Sequence, residues 1–260
     1  MTPDEAVLTQ AGRRLEHLDK PEYEVRARQT RLVASTRQPS FGTEGVVREA
    51  STALRGYEQD SRWSDVLAAG WRIALIDLSR ICAVQPAVFT DVEIPDVEPD
   101  DFDALADITL QPPTEVSLDT QFDRERKAWI VPSASPNFRV ATEFRTDVEE
   151  GVVRLGFEIR LYGSFVQAYR YRDRFVLRDG YHRAVALLSR GISIVPALVS
   201  ESLVADPTQV RRGMLPQEAV FGRHPPMLPD YLDDEVSAEV WLPAVRRMIV
   251  IQALDLQPYG

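Results

Sequence analysis

Asp179-Gly180-Tyr181-His182-Arg183 places a carboxylate, an imidazole and a guanidinium within five residues. The run Phe175-Val176-Leu177 before them reads as a strand, and Ala184, Leu187 and Leu188 after them share one helical stripe. The five residues therefore fall where a strand hands over to a helix. A helix start presents unpaired N–H groups and a partial positive charge, which makes it a natural seat for an anion. Gly180 would let the backbone approach a ligand, and Arg183 can fork onto phosphate or carboxylate. The same residues also fit a plain helix start, with Asp179 as the cap and Arg183 in solvent.

The elements that must position them are legible on both sides. Phe165, Gln167, Tyr169 and Tyr171 alternate in the two-residue period of a half-buried strand. Arg172-Asp173 supplies a tight turn into the second run, so a hairpin is expected. Gly191 stands where the helix should stop. Ile194 to Val199 reads as a strand, with Pro196 placing it at an edge or near a strand start.

The whole stretch, L-R-D-G-Y-H-R-A-V-A-L-L-S-R-G-I followed by V-P, resembles the signature of the ParB/sulfiredoxin-like superfamily. Gly180, His182, Arg183, Ala186, Gly191, Val195 and Pro196 stand at the signature places. Trp71 to Leu78, then Gln85 to Phe89, is loosely similar to the opening strand of that family. Sulfiredoxins carry a Cys where this chain has Tyr181, so their chemistry is not implied. Partition proteins of the family bind and hydrolyse CTP through a G-E-R-R segment, of which one Arg remains here. The D-G-H-H-R form of the free-serine kinases is nearest. The resemblance implies a phosphate-bearing ligand, a nucleotide, held by Gly180, Tyr181, His182 and Arg183, with Arg178 nearby. Asp179 and His182 would be the catalytic residues and Mg²⁺ would accompany the nucleotide, in a phosphotransferase or nucleotide hydrolase. A kinase also needs a carboxylate base, for which Glu143 and Glu158 are the candidates.

Composition bounds the alternatives. The 260 residues carry a net charge of −10, distributed unevenly. Residues 154–190 hold eight Arg against three carboxylates, and residues 91–107 hold eight Asp or Glu and no cation. The signature thus sits in a locally positive stretch, suited to a small anion. The overall charge argues against clamping nucleic acid, and no helix-turn-helix pattern follows Val199. A catalytically silent ParB-like binding or regulatory module, acting through a protein partner or as a homodimer, remains the alternative function. One cysteine, Cys82, excludes an internal disulfide and reads as a buried small side chain. No apolar run is long enough to cross a bilayer and the first ten residues resemble no secretory signal, so a cytoplasmic protein is expected.

The expected fold class is α+β, a ParB/sulfiredoxin-like mixed sheet with packed helices. Residues 1–65 form a partly helical extension, with a helix at 3–18 and another from 43 to about 57. Residues 66–205 form the domain, with an acidic, Pro-rich insertion near 91–113 that reads as linker with a short helix at Asp100–Ala106. Residues 206–260 form a Pro-rich arm and C-terminal strands that close the sheet.

Overall fold

The computed structural model describes residues 41–50, 54–59, 63–111, 120–133, 138–149, 152–161, 164–201, 222–237 and 247–252, and isolated positions in 25–36 and at 215 and 220. The helix expected at 3–18 lies outside the described residues. The chain is α+β and divides into two compact units. The larger comprises Met1–Gln111 and Ser164–Trp241, the smaller Pro112–Gly163 and Leu242–Gly260.

The larger unit is built on a five-stranded sheet. Its strands are β1 (Val47–Glu49), β2 (Arg72–Asp77), β9 (Gln167–Tyr171), β10 (Arg174–Asp179) and β11 (Ile194–Ser200), in the order β1-β2-β11-β9-β10. Parallel pairing of β11 with β9 makes it mixed; the other pairs are antiparallel. Ile73 to Ile76, Val195 to Ser200 and Arg174 to Leu177 are buried residue after residue, so the sheet is covered on both faces. Arg172, with φ 57°, makes the turn between β9 and β10. Pro196 sits inside a central strand. Leu198 donates its N–H to Val166, so the N–H missing two residues earlier falls on the same side, before the pairing with β9 begins.

The helices are α1 (Arg55–Glu58), α2 (Ser64–Ala68), α3 (Phe102–Thr109) and α4 (Tyr181–Ser189). Of the helix expected from 43 to about 57, residues 43–49 are instead a turn and strand β1, residues 51–53 lie outside the described residues, and helix α1 takes up only the end. Gly45 at φ 69° leaves the helical region, and the strand-favouring Val46-Val47 pair delivers Val47 opposite Ile76. The acidic stretch is likewise not a linker leaving the domain. Ile94 and Leu105 are buried, and α3 runs into β3 (Leu110–Gln111), which pairs with β8 (Ser164–Phe165). The segment that leaves the larger unit is 112–163.

Beyond β2 a 3-10 turn, Leu78–Arg80, carries the chain to the β10 edge. Cys82 donates its N–H to Phe175 at 2.9 Å and accepts from Leu177 at 3.0 Å. On the far side Ala83 donates to Pro226, and Leu228 to Ile81. The edge strand is thus paired rather than left open. Burial pushes the Cys82 thiol up to about 12, which keeps it protonated and inert.

The smaller unit holds β4 (Gln121–Asp123), β5 (Ala128–Ser133), β6 (Phe138–Glu149), β7 (Val152–Leu161) and β12 (Arg247–Gln252). The strands form a sheet of order β12-β5-β4 and a long β6–β7 hairpin. The C-terminal strand expected to close the main sheet pairs instead with β5, with Ile249 opposite Val131. The hairpin's irregularity lies between Ala141 and Arg145, on the strand facing Gly156.

Candidate functional site

Residues 179–183 form the junction of β10 and α4. Gly180 has φ 84° and ψ 16°, in the left-handed region. A Cβ there would stand 2.7 Å from Val166 Cα and 2.8 Å from the Phe165 carbonyl oxygen. Glycine is therefore required twice, by conformation and by contact. Asp179 accepts from the Gly180 N–H at 2.8 Å, one residue on, and does not reach into the helix. As a result α4 starts without a side-chain cap.

Tyr181, expected among the ligand-holding residues, is packed into the core. It is 2% exposed, its hydroxyl donates to the Leu177 carbonyl and accepts from Val84 N–H at 2.9 Å, and its ring meets Tyr231 edge-on. Burial drives its pKa well above the usual phenol value. Its work is to pin the 81–84 segment to the end of β10.

His182 is half-buried. Its Nδ1 accepts from the Phe89 N–H at 2.8 Å, and the two rings stack at 5.1 Å between centroids. That acceptor role assigns the neutral tautomer with the proton on Nε2. Burial lowers the imidazole pKa, with Arg183 pushing the same way and Asp179 and Asp91 opposing. A neutral imidazole carrying Nε2–H is a hydrogen-bond donor at the helix start.

Arg183 donates to the Ile108 carbonyl at 2.6 Å, in the last turn of α3. A cation at a helix C-terminus is favourable against the exposed carbonyls. Burial lowers its pKa while Asp179 supports the charged form. The expectation of a solvent Arg with little part in the fold gives way here, because its guanidinium is half-buried and bonded across to another helix. Arg178 projects elsewhere: its guanidinium lies 5.4 Å from the centre of the Trp71 ring. Glu143 and Glu158 fall on β6 and β7 of the smaller unit, whereas residues 179–183 belong to the larger one.

No protein-family model, curated protein or solved structure matches this chain.

The junction thus brings together Asp179, His182 and Arg183 around an uncapped helix start. The partners of His182, Arg183 and Tyr181, respectively the Phe89 amide, the Ile108 carbonyl and the Val84 amide, have no mark in the sequence. They act through main-chain atoms, which every residue carries, so no side-chain type marks them. A strap over α4 was also missed. Arg190, at the other end of the helix, donates to the Ile94 carbonyl at 2.8 Å and the Pro95 carbonyl at 2.9 Å, and pairs with Asp96 at 3.2 Å. With Phe89 bound to His182, residues 89–96 are fastened near both ends of α4. Among the described residues no group of three or more His, Cys, Asp or Glu is placed to hold a metal ion, and no helix is long and apolar enough to cross a membrane.

Proposed function

We propose that the larger unit is a ParB/sulfiredoxin-like domain that binds a phosphate-bearing ligand, a nucleotide, at the start of α4. The observation that carries the reading is the uncapped first turn of α4 behind the left-handed Gly180. The first-turn N–H groups of such a helix have no partner within it and favour an anion. His182 Nε2–H adds a neutral donor beside them, and Arg183 adds a positive charge although its guanidinium is engaged with α3. Mg²⁺ would come with the nucleotide as the counter-ion of its phosphates, with Asp179 as the nearby carboxylate.

Binding is favoured over phosphoryl transfer. Tyr181 and Arg183 are committed to the fold through main-chain partners. That same commitment favours, as second reading, a silent module whose signature residues hold the domain together for a protein partner.

The test is a melting screen with ATP, ADP, CTP, GTP and pyrophosphate in the presence of Mg²⁺, followed by amide resonances during titration with whichever binds. At a hundredfold excess over Kd a bound nucleotide should raise the melting temperature by roughly 5 °C or more. The amides of Tyr181, His182 and Arg183 should move most. A flat screen, or shifts centred elsewhere, would leave the partner-binding module as the better reading.

A further inference from the structure

The strap over α4 is fastened in two unlike ways. At the C-terminal end of the helix Arg190 holds the Ile94 and Pro95 carbonyls and pairs with Asp96. Ile94 is buried, and Pro95 fixes its own φ. A guanidinium stays charged throughout the neutral and mildly acidic range, so its bonds to the two carbonyls do not depend on pH there. At the N-terminal end the fastening is the Phe89 N–H on His182 Nδ1, with the Phe89 ring stacked on the imidazole. Among the described residues no other hydrogen bond ties residues 88–93 to the rest of the larger unit. Val88 and Val92 are only partly buried against the core, and Phe89 is 54% exposed.

The imidazole can hold the Phe89 N–H only while Nδ1 lacks a proton. Once both ring nitrogens are protonated, two donors face each other and the bond is lost. Burial is the largest influence against the imidazolium, and Arg183 on α4 acts the same way. Asp179 at the end of β10 and Asp91 on the strap itself favour it. Lifting the strap relieves the burial. The open form therefore takes up a proton more readily than the closed one, and protons favour opening. Closure is fully supported above about pH 6.5, the ordinary imidazole value, and is lost as pH falls through the lowered one.

We infer that residues 88–93 are a pH-operated lid on His182, latched at Phe89 and hinged at Ile94, which opens when the imidazole is protonated. The lid needs no ligand to work, so it stands apart from nucleotide binding at α4. The probe is a single fluorine on the Phe89 ring of the full chain, followed together with the His182 ring resonances from pH 7.5 to 5. The fluorine should move towards its solvent-exposed position with the same midpoint as His182, below about 6.5. Amide exchange at Ile94 and Asp96, corrected for the intrinsic effect of pH, should stay unchanged. In His182→Asn, whose side-chain oxygen accepts at any pH, the fluorine should not move. A fluorine that stays still in the wild type, or moves with a midpoint other than that of His182, overturns the lid. A movement kept in His182→Asn also overturns it. Exchange that quickens equally at Ile94 and Asp96 means that the whole strap leaves, and overturns the hinge. Should His182→Asn not fold, the two midpoints in the wild type decide.

Discussion

Two helices of the larger unit start just after an aspartate, and the two starts differ. Asp101 accepts from the Ala104 N–H at 3.0 Å and caps α3 in the ordinary way. Asp179 has a glycine between itself and α4, folds onto that glycine's own N–H, and leaves the first turn of α4 open. The end of α3 is also served, by Arg183 reaching from the first turn of α4. One helix is thus served at both termini from within the fold, while the other starts without a side-chain cap. Similar residue types at both starts give a structural terminus in one case and a candidate binding terminus in the other. The difference lies in where the backbone directs the carboxylate.

Three changes would break or sharpen this contrast. Gly180→Ala should have the largest effect, because it sets a methyl against the Val166 backbone and forces L-residue strain at φ 84°. A loss of roughly 3–5 kcal/mol in unfolding free energy, read by urea denaturation, is expected from strain and overpacking together. A loss below about 1 kcal/mol would mean that the β9 side of the junction yields, and with it the argument for a rigid open start. Asp101→Ala should cost about 1 kcal/mol as a lost cap. It should leave any ligand response at α4 unchanged, since it touches only the satisfied helix.

The smallest effect is the pH response of His182. Its pKa is lowered in the fold, mainly by burial, so between that value and the unfolded one near 6.5 the unfolded chain binds more protons. The stability it contributes is fully present above about pH 6.5 and falls as pH drops through the lowered value. Protonation also turns Nδ1 into a donor facing the Phe89 N–H. Exchange of the Phe89 amide should therefore quicken on acidification from pH 7.5 to 5, and much less so in His182→Asn, whose side-chain oxygen can accept that N–H at any pH. Equal pH dependence in both would separate the strap from the histidine.

Much of this site was legible because it is local. The hairpin turn at Arg172-Asp173, the Gly180 break, the α4 stripe and its stop near Gly191 are contained within about thirty residues, and alternation, period and glycine report them directly. The strand β1, expected as helix, and the partner of β12, expected in the main sheet, both depend on residues distant in the chain. Val47 is a strand residue through Ile76, and Ile249 through Val131. An eight-residue helix such as α3 in an acidic, Pro-rich setting shows little period, and only burial of Leu105, Ile108 and Leu110 reveals its place in the core.

The sequence by itself determined the α+β class, the strand, glycine and helix of the junction, and the local excess of arginine, since each depends on neighbours along the chain. The tertiary structure decided the jobs of the side chains. Tyr181 went to the core and Arg183 to the end of α3. His182 became neutral against the Phe89 amide, and Arg190 went to the Ile94 and Pro95 carbonyls. Those outcomes depend on which distant main-chain donors and acceptors packing brings within hydrogen-bond reach.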